Sequence, residues 1–226
     1  MIMFFHLKRV LAPFRNLLHQ FWDRRLSALL SVCEDGRKIF SIYDFGRITR
    51  YRARSFESKE PETLRWISSF TPSDTLLDIG ANIGLYSLYA AFNDINVVAI
   101  EPDALNYALL NLNIRINNYG QRITPYLIAA HDESKFSSFN ISSIEWGGAL
   151  NSFDNTLDPW GNNYKPVHTQ GVYGTTLDDF LPSIKFCPTH IKIDVDGNEL
   201  LILRGAVETL RSNSLHSILI ELDESR

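Results

Sequence analysis

The feature that most constrains this chain is a short apolar run, Leu76-Leu77-Asp78-Ile79, followed by Gly80 and Gly84. Such a run is typical of a buried strand that turns sharply into a helix, because glycine has no Cβ and lets the backbone approach a ligand. Seventeen residues after Gly84, a second apolar run ends in Glu101, where an acid often holds a ribose hydroxyl. Together these residues predict a βαβ unit that binds a nucleoside.

The glycine spacing bears on which nucleoside would bind. Dinucleotide folds usually carry G-x-G-x-x-G, whose glycines let a pyrophosphate lie at a helix N-terminus. Here Asn82 replaces the middle glycine, which narrows the space for a pyrophosphate and adds an amide able to bond a carboxylate or amino group. S-adenosylmethionine has both groups and no phosphate, so the pattern favours it over a nicotinamide cofactor or a ligand-free turn. Glu101 would then hold the ribose, and a solvated strand-end acid is the alternative.

The composition fits one globular domain, but the charge is unevenly spread. Of the 226 residues, 45% are hydrophobic, which suffices for a substantial core. Residues 1–54 contain eleven Lys and Arg against four Asp and Glu, whereas the rest contains eleven against twenty-two. A basic N-terminal quarter therefore precedes an acidic body.

Two observations bear on the compartment. Cys33 and Cys187 lack metal or redox spacing, which suggests free thiols in a reducing environment. No apolar stretch reaches about 18 residues, and residues 1–5 are too short for a signal peptide core. We therefore expect a cytoplasmic protein.

The N-terminal segment, residues 1–32, has apolar residues at helical spacing with Lys and Arg between them. Such a basic amphipathic helix could lie on an anionic membrane surface, but the pattern favours packing of its apolar stripe on the domain. We expect no nucleic-acid partner, because no basic strand with interleaved aromatic residues is present. Residues 38–43 and 48–53 flank the segment 44–46, which predicts a small β-hairpin.

From residue 57 onward, strand and helix patterns alternate. The predicted strands lie near 75–79, 96–100, 123–128, 190–194 and 216–221, and the predicted helices near 83–92, 103–117 and 198–211. The alternation predicts an α/β fold with a mostly parallel sheet and helices on both faces. Its ligand crevice should lie at the carboxyl ends of the strands, where the strand order reverses. We place the domain boundary at 56/57, with an N-terminal extension over 1–56.

Residues 133–175 interrupt this alternation. The stretch is too long for a simple connection, which predicts an inserted loop on the substrate side. Its side chains suit either binding of a sugar-like acceptor or a structural cover over the sheet; the candidates are Trp146, Trp160, Tyr164, His168 and Gln170.

A second motif follows the fourth predicted strand: Asp194, Asp196 and Glu199 lie within six residues. Methyl transfer to a hydroxyl requires removal of a proton, and Asp194 is our first candidate for the base or substrate anchor. The Asp194-x-Asp196 pair could instead hold Mg²⁺, which we do not favour. Asp196 and Glu199 have capping-box spacing, and capping is our preferred role for that pair. We expect His131, His168 and His190 to be structural.

These motifs together resemble the FkbM family of S-adenosylmethionine-dependent methyltransferases. The similarity covers about 57–222 and includes the first glycine motif, Glu101-Pro102, residues 191–199 and Gly205-Ala206. It implies a class I methyltransferase (Rossmann-like) fold and O-methylation of a saccharide or polyketide-type hydroxyl. The resemblance implies that Asp78, Gly80, Asn82 and Gly84 line the donor, Glu101 its ribose and Asp132 its adenine amine. It also places Asp194, Glu199 and Glu60 as candidate catalytic residues.

The chain departs from that pattern at its end. Such folds finish with an antiparallel hairpin of some 30 residues after the fifth strand, whereas this sequence stops at Arg226. We therefore expect a sheet without its terminal hairpin, which leaves an open edge. Two other functions stay open: a catalytically silent protein that binds S-adenosylmethionine, and a nicotinamide-dependent oxidoreductase.

Overall fold

The computed structural model describes residues 28–158 and 160–221. The helix predicted for residues 1–32 lies mostly outside this part of the chain, and with it the proposed membrane contact. Its last residues belong to a strand instead, since β1 spans Leu29–Glu34. Within the described ranges, no helix is both long and apolar enough to cross a membrane.

A hairpin is present, but it is not the predicted one, because residues 38–43 belong to its second strand and not to its first. β1 pairs antiparallel with β2 (Arg37–Tyr43). The turn between them contains Asp35 and Gly36, at φ 48° and 72°, and Asp-Gly with both residues at positive φ suits a tight hairpin. Residues 48–53, predicted as a strand, lie in the helix α1 (Arg47–Lys59), which buries Thr49 and Phe56.

The central sheet is parallel and five-stranded, in the order β11-β10-β3-β4-β5. Its strands are β3 (Thr75–Ile79), β4 (Asn96–Ile100), β5 (Ile123–Tyr126), β10 (His190–Ile193) and β11 (Ser217–Ile220). All four neighbouring pairs are parallel. This confirms the predicted α/β fold with a mostly parallel sheet.

Helices cover both faces of the sheet, as predicted. Alternate residues of a strand point to opposite faces: Leu76 and Val97 join one hydrophobic cluster, and Leu77 and Val98 the other. The first cluster includes α1, α2 (Pro61–Ser68), α3 (Leu85–Phe92) and α4 (Ala104–Ile116), together with the hairpin. The second includes α5 (Leu177–Ser183) and α6 (Glu199–Arg204), and α7 (Val207–Leu210) follows α6.

The segment 133–175 is more ordered than the inserted loop that its length suggested. It contributes β7 (Lys135–Ile141), β8 (Ser152–Phe153) and β9 (His168–Thr175) to a second sheet. The order of that sheet is β6-β9-β7-β8, with β6 at Ala129–Ala130. Because β6 lies just after β5 in the chain, the second sheet extends beyond the carboxyl ends of the central strands.

Candidate functional site

The site lies where the central strands end. Gly80, Glu101 and Asp194 are each the first residue after a strand, β3, β4 and β10 respectively. β4 pairs with one edge of β3 and β10 pairs with its other edge. The strand order therefore reverses at β3. A pocket of about 570 Å³, its open mouth included, is lined by all three residues.

Gly80 is required by the close approach of two backbone segments. It adopts a φ of +80°, and a Cβ built on it would lie 1.8 Å from the Asp194 carbonyl oxygen. The N–H groups of Gly80 and Ala81 donate to the Ile100 carbonyl at 3.0 Å. The turn is thereby held between β4 and β10.

Asn82 adopts the left-handed conformation, with φ 52°, which asparagine tolerates better than most residues. Its backbone N–H donates to Glu101 Oε2 at 2.7 Å. Its side-chain amide donates to the Gly148 carbonyl at 2.7 Å. The sequence suggested that this amide would bond a ligand; here it bonds the inserted segment.

Glu101 is 5% exposed and lines the pocket. Its two oxygens accept hydrogen bonds from the N–H groups of Asn82 and Asp103. Burial raises the pKa of this carboxyl to about 8, against the opposing effect of these two N–H groups. A carboxylate offers about four lone-pair positions, so each oxygen keeps one for a ribose hydroxyl.

This pKa predicts how ligand affinity changes with pH. Ribose hydroxyls donate to the ionised carboxylate, so binding should release a proton from Glu101 below pH 8. Affinity should fall by up to about tenfold per unit as the pH drops below 8, since one pKa unit equals about 1.36 kcal/mol. Calorimetric titration at pH 6.5, 7.5 and 8.5 checks this. The titrant is 5′-methylthioadenosine, because it lacks the ionisable α-amino group of S-adenosylmethionine.

Glu101→Gln is the matched variant for that titration. It should bind the nucleoside about 10–100-fold more weakly at pH 8.5, because hydrogen bonds to charged groups contribute about 1.5–3 kcal/mol. It should also show no pH slope. An equal slope in wild type and variant would show that another group titrates.

The inserted segment closes one side of the pocket through residues 147–151, here called the closing segment. Asn106, 1% exposed, accepts from the Gly147 N–H and donates to the Gly148 carbonyl. The Leu150 N–H donates to Asp196 Oδ2 at 2.6 Å. The closing segment is therefore bonded to α4 and to the loop after β10.

The charges of this pocket suit a cationic nucleoside. Among its lining residues in the described chain, Glu101, Asp194 and Asp196 are acidic, and none is Lys or Arg. A diphosphate would face these acidic groups without a basic side chain, whereas a sulfonium ion would be attracted by the ionised Asp194 carboxylate. The residues present thus fit S-adenosylmethionine better than a dinucleotide.

A second pocket of about 450 Å³, mouth included, shares Gly80, Asn82 and Asp194 with the first. Its other walls come from α1 and α3, and they include Arg52, Ser55, Lys59, Glu60 and Tyr86. Glu60 accepts from Lys59 Nζ at 2.6 Å. Hydroxyl-bearing, charged and aromatic groups therefore surround this space, and Asp194 lies between it and the first pocket.

Asp194 belongs to a buried charge chain. Lys192, 1% exposed, lies directly opposite Asp78 across β10 and β3, and its ammonium donates to Asp194 Oδ2 at 2.9 Å. Burial alone would raise the pKa of Asp194, but the Lys192 ammonium, the hydrogen bond with Glu221 and the Lys59 charge together hold the pKa below its usual value. Asp194 is therefore ionised at neutral pH.

Glu221, the first residue after β11, completes a carboxylate cluster. Glu60, Asp194 and Glu221 each bring an oxygen within 4.8 Å of the others. Burial and the neighbouring Asp194 charge raise the pKa of Glu221 to about 7. The ammonium groups of Lys59 and Lys192 already offset part of this charge. The Asp194-x-Asp196 pair that was considered for Mg²⁺ does not act as a unit, because Asp196 accepts a hydrogen bond from the Leu150 N–H while Asp194 pairs with Lys192.

Four residues predicted for the site do not line either pocket in the described chain. Asp78 lies buried below the turn and accepts from Ser87 at 2.5 Å. Gly84 begins α3, where a Cβ would lie 2.3 Å from Leu110 Cδ1. Asp132 Oδ1 lies 2.9 Å from His131 Nδ1.

Glu199 is the fourth, and its predicted capping box is not formed. Glu199 Oε1 accepts from the Gly197 N–H at 2.9 Å, and the N-cap of α6 is Asn198. Asp196 has φ 58° and bonds the closing segment instead. The predicted cap was wrong because the long-range bond to Leu150 takes the Asp196 carboxylate.

Several residues of the site were not predicted from the sequence. Glu221 and Lys192 had a usable signal, since one follows an apolar strand and the other lies inside one. Arg52 and Asn106 had none, because their roles depend on contacts with the closing segment. Of the proposed acceptor side chains, Trp146 packs on Phe45 with ring centroids 4.4 Å apart.

Three solved structures share a limited region with this chain. They are P. horikoshii TYW2 in complex with MeSAdo (23% identity, 45% of this chain, 36% of that chain, TM-score 0.33), the M. jannaschii tRNA m1G37 methyltransferase (20%, 44%, 29%, 0.33) and PRMT6 (18%, 35%, 24%, 0.30). The chain thus spans about a third or less of the length of these structures. The overlaps are too small to inform function. No curated protein gives a significant match.

A family comparison is more extensive. The model of the Methyltransferase FkbM domain matches residues 78–226, which is more than half of the chain. The match includes the glycine turn, Glu101, the closing segment and Asp194. This chain therefore belongs to the FkbM methyltransferase domain family.

Proposed function

We propose that this protein transfers the methyl group of S-adenosylmethionine to a hydroxyl of a saccharide or a similar polyhydroxylated or polyketide-type acceptor. The observation that carries the proposal is the pair of pockets that meet at Gly80, Asn82 and Asp194. One has acidic walls without basic side chains and suits the donor. The other combines charged, hydroxyl and aromatic groups and suits a polar acceptor.

The bound donor supplies a methyl group on a positively charged sulfur, which leaves as the neutral thioether when the acceptor oxygen attacks. Asp194 lies between the two pockets as a carboxylate and accepts the hydroxyl proton. A positioned base contributes about 10²–10⁴-fold to such a step. Lys192 fixes the Asp194 carboxylate through the 2.9 Å hydrogen bond.

The surroundings of Asp194 position the acceptor and exclude water. Glu60 and Lys59 line the second pocket beside Asp194, where they can bond neighbouring hydroxyls of a sugar ring. The closing segment covers the donor side through its bonds to Asn82 and Asn106. Alignment of both reactants can contribute up to about 7–11 kcal/mol in well-oriented systems.

A methyl-transfer assay with methyl-labelled S-adenosylmethionine tests the proposal. The acceptor panel should contain neutral and acidic glycans and a polyketide alcohol, with tRNA and an arginine-rich peptide as contrasts. Label on a glycan or polyketide hydroxyl is the expected result. Label on the tRNA or the peptide would overturn the choice of acceptor. Donor binding without transfer to any acceptor would favour the silent donor-binding protein.

A further inference from the structure

A group of metal-ligand side chains lies at the opposite end of the central sheet from the donor pocket. Asp74 precedes β3, His190 begins β10 and His216 precedes β11. Each offers one ligand atom, and these atoms lie within 4.8 Å of one another. Because the three strands are adjacent and parallel, the sheet itself fixes the group.

His190 is held in place by its neighbours, and one of its ring nitrogens has no partner in the part of the chain that the structure describes. The residue is 7% exposed, and its ring stacks on Phe70 at 3.7 Å and 3°. Its Nδ1 lies 2.8 Å from Ser217 Oγ, which also accepts from the Trp66 indole N–H. Its buried Nε2 has no hydrogen-bond partner among the described residues and lies 3.7 Å from Asp74 Oδ2, too far for a hydrogen bond.

Asp74 and His216 complete the group. Asp74 is also 7% exposed, and its Oδ2 accepts from the backbone N–H and the hydroxyl of Thr71. Its Oδ1 lies 3.5 Å from His216 Nδ1. The His216 side chain is 58% exposed, so solvent or an ion can reach the group. The Thr71 bonds keep the pKa of Asp74 low, and burial lowers the pKa of His190.

We propose that Asp74, His190 and His216 bind a divalent transition-metal ion of the Zn²⁺ type, with water at the remaining position. Two imidazoles and a carboxylate form a common set of zinc ligands. Tetrahedral bonds of about 2.0–2.1 Å place ligand atoms about 3.3 Å apart. The separations of 3.5 Å from His216 Nδ1 to Asp74 Oδ1 and 3.7 Å from His190 Nε2 to Asp74 Oδ2 exceed this value by a few tenths of an ångström. All ligand atoms lie within 4.8 Å of one another, so the exposed His216 ring would move inward to complete the set. Ser217 acts as the outer partner that orients a ligating imidazole.

This site is independent of the methyl-transfer chemistry. The ion would join the loop before β3 to the starts of β10 and β11, so its effect is on stability. Nitrogen ligands select Zn²⁺ over Mg²⁺, which prefers oxygen. The bound ion would be the partner of His190 Nε2.

Zinc titration of the full chain against a chromophoric chelator tests the site, with His216→Ala as the key variant. Since His216 is exposed, the variant should fold, and its affinity for Zn²⁺ should be about 100-fold or more below that of the wild type. His168→Ala, which removes an exposed histidine elsewhere, should bind as the wild type does. Ser217→Ala should weaken binding by about 10–100-fold. Equal Zn²⁺ affinity in wild type and His216→Ala would overturn the proposal.

Thermal unfolding gives a second readout. Zn²⁺ at about 100 times its Kd should raise the midpoint of the wild type by about 5 °C or more. His216→Ala should show no rise, and Mg²⁺ should have no effect on either protein. A rise of the same size in the variant, or with Mg²⁺, would contradict a site built from these residues.

Discussion

Asp194→Asn is expected to lower kcat for methyl transfer by about 10²–10⁴-fold while donor affinity changes much less. The amide keeps the shape of the carboxylate but cannot accept the acceptor proton. Lys192 keeps the Asp78 carboxyl directly opposite it, so its ammonium retains a neighbouring acid. Methyl transfer to the best acceptor of the panel, with donor affinity measured in parallel, separates the two effects.

The control for this variant is Glu62→Gln. Glu62 forms an exposed pair with Arg65, and such pairs contribute about 0–1 kcal/mol. The same carboxyl-to-amide change there should leave turnover unaltered. Undiminished turnover in Asp194→Asn would remove Asp194 from the proton-transfer step.

Gly80→Ala is expected to destabilise the protein by about 4 kcal/mol or more, near the upper limit of single substitutions. The new methyl group would lie 1.8 Å from the Asp194 carbonyl oxygen and 2.8 Å from its carbonyl carbon. Both atoms are backbone, so no side-chain rotation relieves the clash, and the φ of +80° adds strain. The midpoint temperature of unfolding should fall by about 10 °C. The fraction of the variant that folds should bind the donor with lower affinity than the wild type.

Gly120→Ala is the matched control, since a Cβ there meets no atom of the described residues within 4 Å. Its free energy of unfolding should stay within about 1 kcal/mol of that of the wild type. If the Gly80→Ala variant unfolds at the same temperature as the wild type and binds the donor with the same affinity, the close approach of β3 and β10 at this turn is not required.

The half of the fold that contains β3 and β4 could be predicted because its signals are local. β3 and β4 match their predicted bounds, since a buried parallel strand is an apolar run bounded by turn residues. The hairpin failed for a different reason. The Asp35-Gly36 pair was the usable turn signal, whereas residues 48–53 have β-forming side chains that the tertiary context places in α1.

The site could be predicted in its parts but not in its assembly. Gly80, Glu101 and Asp194 follow apolar runs, and the rule for parallel sheets brings them to one edge. Asn82, Asn106 and Asp196 form hydrogen bonds with the closing segment, which lies more than forty positions away from each of them in the sequence. No sequence periodicity indicates such contacts. Such contacts also explain why Asp196 does not cap α6.

The most direct test is a crystal structure of the protein with S-adenosylmethionine or its demethylated product. We predict the ribose hydroxyls on the Glu101 carboxylate, the sulfur at the junction of the two pockets beside Asp194, and the closing segment over the nucleoside. A nucleoside bound elsewhere on the surface, or no binding at millimolar donor, would contradict the assignment of this pocket.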